Sequence, residues 1–223
     1  MNLAIASKKH FLFDLDGTLV NSNEFHGLAF REVLERSAPE FLPRFNYDAV
    51  KGRPTRDVFA GFGFVDEAQI AVLTAEKQNA YSSAITRNGL PLIPGARELL
   101  DFLSSMNRRL YIVSAGSRAS VEEALAAARI RGYFAGVMTS DDVMRSKPDP
   151  EIYRRCLETH DLAPSECVAV EDSESGIAAS TGAGIDSVMI ASHPARSARY
   201  QDFPTLAEFH RHVVDAFRAT RHA

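Results

Sequence analysis

Phe11-Leu12-Phe13-Asp14-Leu15-Asp16-Gly17-Thr18-Leu19-Val20 is the stretch on which the fold turns. Its first half, Phe11 to Leu15, is apolar and β-prone and runs into the turn-forming Asp16-Gly17-Thr18, so it reads as a buried strand opening into a loop. Two carboxylates at i and i+2 of an extended chain can lie on one side of it. One can then attack phosphorus while the other handles the proton of the leaving group. Gly17 lets the backbone turn sharply, and the loop beyond it can aim N–H groups at an anion.

Outward from this segment, four more short runs have the same apolar, strand-like character: Leu110 to Val113, Ala135 to Met138, Val168 to Val170 and Ser187 to Ile190. Helical stretches separate them, at Ala96 to Met106, Arg118 to Ala128, Pro150 to Thr159 and Glu174 to Thr181, with Pro94, Ser117 and Ser173 near helix starts. Alternation at this spacing predicts an α/β fold with a parallel sheet covered on both faces. The interval from Val20 to Leu92 breaks the pattern and is too long for one crossover. Asn23 to Arg36 and Ala68 to Ala84 carry helical periodicity, and Pro91 with Pro94-Gly95 marks the return to the sheet. The organisation expected is a catalytic core of residues 1–20 and 91–223 and an inserted helical cap of residues 21–90. After Ser192 the expectation is a loop followed by a terminal helix packed on the core.

The bulk numbers set limits on function. With 223 residues, 45% of them hydrophobic, the chain has enough material for one α/β domain plus an insertion. A net charge of −4 and a pI near 6.0 leave no overall basic field to attract nucleic acid or anionic membrane, so neither is expected as a partner. No stretch approaches the run of about 20 apolar residues that a membrane span needs. Met1 to His10 is too short for a secretory apolar region. Cys156 and Cys167 are spaced neither as a metal knuckle nor as a redox pair; they read as packing residues of a cytoplasmic protein. A monomer or weak homodimer is expected.

Three further elements sit where a phosphate-handling site would want them. Ser114 ends the second strand in Tyr111-Ile112-Val113-Ser114-Ala115-Gly116-Ser117, where its hydroxyl and the neighbouring N–H groups, Ala115 among them, can bind phosphate oxygens ahead of a helix N-terminus. Ser117 is the better candidate for the cap of that helix. Lys147 lies in Ser146-Lys147-Pro148-Asp149-Pro150, where two prolines stiffen the approach to a helix. Glu171 and Asp172 finish the fourth strand, and adjacent carboxylates there would repel unless a cation sat between them. Hard oxygen ligands of that kind suit Mg²⁺.

With these four elements in order from Phe11 to about Ile190, the sequence resembles the haloacid dehalogenase superfamily, in particular its small-metabolite phosphatases and β-phosphoglucomutase-like proteins with a helical cap. The resemblance implies a Rossmann-like parallel-sheet core. It further implies that Asp14 forms an aspartyl phosphate, that Asp16 protonates the leaving alkoxide and then activates water, and that Ser114 and Lys147 hold the transferring phosphate. Mg²⁺ would be bound by Asp14, the Asp16 carbonyl and Asp172, with Glu171 as a further ligand. Retention of Asp16, which carbon–halogen-cleaving members lack, favours phosphoryl transfer. In the cap, Lys51-Gly52-Arg53-Pro54-Thr55-Arg56-Asp57 places three cations around a glycine and resembles the family's specificity loop. His26 matches a histidine at the cap hinge of many relatives. Asn21 stands where they usually carry aspartate, and it can still cap the first cap helix. The activity expected is a Mg²⁺-dependent phosphatase acting on a small sugar or polyol phosphate. A β-phosphoglucomutase-like mutase is the alternative, with the Lys51 to Arg56 loop gripping a second phosphate.

Overall fold

His10–Phe13 forms the first strand, β1, near the middle of a six-stranded sheet. The computed structural model describes residues 4–51, 53–191 and 200–220. Gly52 and the loop expected directly after Ser192 lie outside the described residues. The other strands are β2 (Arg109–Val113), β3 (Phe134–Met138), β4 (Cys167–Glu171), β5 (Asp186–Ile190) and β6 (Gln201–Phe203). Their order is β3-β2-β1-β4-β5-β6, and every neighbouring pair is parallel. A parallel sheet must be covered on both faces. Accordingly, Phe11 and Phe13 join one apolar cluster while Leu12, between them, joins another.

The helices are α1 (Asn23–Ser37), α2 (Thr55–Gly61), α3 (Glu67–Asn88), α4 (Ala96–Ser105), α5 (Arg118–Ala127), α6 (Glu151–His160), α7 (Glu174–Gly182) and α8 (Leu206–Thr220). α4, α5 and α8 cover the Phe11 face through Leu99, Leu125 and Phe209. α6 covers the other through Ile152, Tyr153 and Cys156. Both cysteines are buried, as packing residues should be.

Between β1 and β2 the chain forms α1 to α3, which close on a separate cluster that includes Phe30, Leu34, Phe59 and Leu73. α3 is long enough to serve two cores. Ile70 and Leu73 near its start belong to the inserted cluster, whereas Tyr81 and Ile85 near its end belong to the main core. The insertion leaves and returns at one seam: Val20 bridges Leu92, and the Asn21 N–H donates to the Pro91 carbonyl at 2.8 Å.

Two local expectations are corrected. β1 ends at Phe13 rather than Leu15, because Asp16 bridges Val20 and Gly17 turns the loop back at φ +86°. Asn21 does not cap α1: the residue before that helix is Ser22, whose hydroxyl is engaged by Asp16 instead.

Candidate active site

Because all six strands point the same way, their carboxyl ends share one edge of the sheet, and the loops leaving that edge converge. Asp14 follows β1, and its N–H still donates to the Val170 carbonyl at 3.0 Å. Ser114 follows β2 and is held likewise by Met138. Glu171 is the last residue of β4 and Asp172 the next. Backbone pairing therefore fixes the positions from which the functional side chains leave.

Lys147 reaches this edge from the loop ahead of α6 and is buried. Its ammonium donates to Asp14 Oδ1 at 2.7 Å, Glu171 Oε1 at 2.6 Å and the Val113 carbonyl at 2.8 Å. Three acceptors use all three of its protons. Burial alone would lower its pKa, but the two carboxylates outweigh that and hold the ammonium charged. Tyr153, from α6, donates to the same Glu171 oxygen. Carboxylate oxygens of Asp14, Glu171 and Asp172 lie within 4.8 Å of one another. Burial, and then the proximity of like charges, raises the pKa of all three, against the pull of Lys147 and of Lys51 on Asp172. Lys51 touches Asp172 Oδ2 at 2.5 Å. Two ammoniums thus face three carboxyl groups, whose crowding they offset only in part. A cluster of hard oxygen donors in that state fits a divalent cation of the Mg²⁺ type. Backbone space is rationed around it: a Cβ at Gly17 would collide with the Asp172 carboxylate, and its positive φ already disfavours any side chain.

Asp16 belongs to a second network. Ser22 donates to its Oδ1 at 2.5 Å, and His26 Nε2 stands 3.4 Å from the same oxygen. The His26 ring lies flat on Tyr81, centroids 4.0 Å apart, and its Nδ1 meets the Lys77 ammonium at 2.8 Å. An ammonium can only donate, so Nδ1 accepts and the ring proton resides on Nε2, facing Asp16. Burial and the Lys77 charge keep the imidazole neutral by lowering its pKa. Burial by itself would raise Asp16; the bonds from His26 and Ser22 and the charge of Lys77 hold it below the ordinary carboxylate value.

Ser114 is buried, and its hydroxyl accepts from the Gly116 N–H at 3.1 Å. Ser114 and Ala115 line the cavity just ahead of α5. Ser117 caps that helix, its hydroxyl accepting from the Ser120 N–H. Arg53 and Arg56 are exposed on the cavity wall. Arg53 donates to the Asp57 carbonyl at 3.2 Å, and Arg56 pairs with Glu67 at 2.6 Å. A single cavity of about 880 Å³ gathers Asp14, Asp16, His26, Lys51, Arg53, Arg56, Ser114, Ala115, Lys147 and Asp172. Glu171 is buried behind it.

Sequence reasoning missed Lys77 and Tyr153. A signal for Lys77 was present: it occupies the apolar stripe Ile70, Leu73, Lys77, Tyr81, Ile85 of α3, where a lysine has no solvent to reach. Tyr153 had no such signal, since a tyrosine on a core-facing helix usually needs no explanation beyond packing.

Residues 11–190 match the family described as haloacid dehalogenase-like hydrolase. Among curated proteins, the chain is 32% identical over 181 residues to the fructose-1-phosphate phosphatase YqaB of Escherichia coli, covering 79% of this chain and 93% of that one. It is also 32% identical over 202 residues to hexitol phosphatase A of the same organism, covering 87% and 88%. Among solved structures, CbbY from Rhodobacter sphaeroides in complex with phosphate superposes with a TM-score of 0.76 at 25% identity, over 91% of this chain and 96% of that one. No helix among the described residues is long and apolar enough to cross a membrane.

Proposed function

The chain belongs to the haloacid dehalogenase-like hydrolase family and is a phosphatase of small phosphorylated metabolites; on that premise we propose that Asp14 is its nucleophile and that the substrate is a sugar or polyol phosphate. The observation that carries the assignment is the trio Asp14, Lys147 and Glu171, in which one buried ammonium holds the carboxylate of Asp14 by Oδ1 at the floor of the cavity.

In the first half-reaction, Asp14 attacks phosphorus, the bond from phosphorus to the alkoxy oxygen breaks, and Asp16 delivers its proton to the departing oxygen. The bonds from His26 and Ser22 hold Asp16 below the ordinary carboxylate value against its burial, and the charge of an arriving phosphate beside it favours its protonated form. In the second, Asp16 takes a proton from water, the water oxygen bonds to phosphorus, and the bond to Asp14 breaks to release inorganic phosphate. Ser114 and the N–H groups at Ala115 bind phosphate oxygens, and Lys147 orients Asp14 and lowers the cost of gathering negative charge there. Phosphatases of this family generally use Mg²⁺. Asp14, Asp172 and the Asp16 carbonyl would hold it, with Glu171 contributing from behind, and it would neutralise charge on the transferring group. We place residues 21–90 as a cap over this site, with Lys51, Arg53 and Arg56 from its loop and His26 at its hinge addressing the substrate.

Phosphate release from ketose and hexitol phosphates, with Mg²⁺ present, tests the assignment. Asp14→Asn should lose at least about 10³-fold in kcat while its thermal unfolding stays cooperative. Near-normal turnover by the asparagine variant would sink it.

A further inference from the structure

We infer that Thr74 and Gln78 of α3 read the leaving group of the substrate, and that what they read is an uncharged, hydroxyl-bearing carbon chain rather than a second phosphate. The inference rests on the phosphatase reading above. α3 turns one stripe of its surface to the cavity, and Thr74 and Gln78 lie on it one helical turn apart. Thr74 Oγ1 and Gln78 Nε2 are both buried, and neither has a hydrogen-bond partner among the described residues. Asn23 Oδ1, on α1 and lining the same cavity, is in the same position. Buried polar atoms without partners are costly and uncommon, and in side chains that line a cavity a rotation toward it lets a ligand complete them.

The donor and acceptor types select that ligand. Gln78 Nε2 is a donor, the amide oxygen of Asn23 an acceptor, and the Thr74 hydroxyl either. An ionised phosphate only accepts, so it leaves Asn23 Oδ1 unmet. A row of hydroxyls both donates and accepts and can serve all three. The cations near the cavity point the same way. Arg56 is on Glu67, Arg53 on the Asp57 carbonyl, Lys51 on Asp172 and Lys77 on His26. Each therefore has an acceptor already, whereas the neutral groups do not. Arg53 and Arg56 are also exposed, where an ion pair with a ligand is screened by solvent.

The test compares kcat/KM on a matched set: fructose 1-phosphate, sorbitol 6-phosphate, fructose 1,6-bisphosphate and 4-nitrophenyl phosphate. Wild type should prefer the better of the two monophosphates over the bisphosphate by at least about tenfold, and Thr74→Val and Gln78→Met should each cut its kcat/KM about 3- to 12-fold. Turnover of 4-nitrophenyl phosphate, which offers no hydroxyl, should change less than about twofold. Thr74→Ser, which keeps the hydroxyl and loses the methyl, should behave as wild type. Preference for the bisphosphate would overturn the inference, as would equal losses on the aryl ester, no loss on the monophosphates, or a serine variant as impaired as the valine one. Hydrolysis of the aryl ester alone by wild type would likewise overturn it while leaving a phosphatase in place. Release of phosphate from none of the four would overturn the phosphatase reading itself.

Discussion

Lys77 carries its ammonium 5.0 Å from the centroid of Phe30 and 5.3 Å from that of Tyr81, with His26 Nδ1 as its hydrogen-bond acceptor. Burial pushes its pKa down to about 8, and Asp16 recovers only part of the loss. The folded pKa lies below that of a free lysine, so between about pH 8 and 10.5 the unfolded chain binds a proton that the folded one does not, and stability rises with pH. Burying the charge therefore costs most at neutral pH, up to about 3 kcal/mol relative to alkaline solution. Urea unfolding of wild type and Lys77→Met across that range should show wild type gaining on the variant as pH rises through the window. A constant difference would mean that the folded lysine binds its proton as the unfolded one does and that burial does not lower its pKa. Such a costly residue is retained where it does something, and here it fixes which nitrogen of His26 faces Asp16. Much of the site was legible because Asp14, Ser114, Glu171 and Asp172 stand at or just after the ends of apolar runs, and Asp16 in the turn that follows the first of them. Lys77 was not. It reaches Asp16 through His26 from a helix separated from it by most of the insertion, and no local pattern records that contact.

Gly176, in the first turn of α7, shows how an element depends on a single missing atom. A Cβ there would strike both the carboxyl carbon and the oxygens of Glu171. Glu171 cannot yield, since it is fully buried and gripped by Lys147 and Tyr153. Alanine ordinarily stabilises a helix interior by nearly 1 kcal/mol over glycine. At this position the sign should reverse: Gly176→Ala should lose about 1–3 kcal/mol by denaturant unfolding and should lower kcat by displacing Lys147 from Asp14. A stabilised variant of full activity would mean that α7 can slide. Sequence showed α7 and its cap Ser173 clearly, along with α4, α5, α6 and five of the six strands, because those segments repeat at the period of one element and end in recognisable punctuation. β6 and α2 escaped. Gln201–Phe203 is a short, polar edge strand with no alternating pattern, and Thr55–Gly61 is less than two full turns of helix whose packing on Phe30 and Phe45 emerges only in three dimensions.

At the scale of the molecule, the carboxyl cluster of Asp14, Glu171 and Asp172 at the sheet edge ties catalysis to stability. A cation that binds the folded chain and not the unfolded one stabilises it in proportion to its saturation, by about 1.4 kcal/mol at tenfold above its dissociation constant. Mg²⁺ should therefore raise the melting temperature as well as support turnover, excess chelator should remove both effects, and Asp172→Asn should blunt the thermal shift. Turnover that persists in chelator would refute the metal assignment. The seam at Val20–Leu92 and Asn21–Pro91 bears on how the chain comes into being. β1 pairs with β2 and β4, partners about 100 and 155 positions further along, so on the ribosome β1 emerges before both and waits longest. The helices of the insertion are complete well before either partner appears. Closing the seam would join the two ends of the insertion and bring Pro91 and Leu92 beside Val20, so that the interval β1 must still search is shortened from nearly a hundred residues to fewer than thirty. What serves the finished protein as the neck of its insertion serves the nascent one as a clasp, converting a distant strand pairing into a near one.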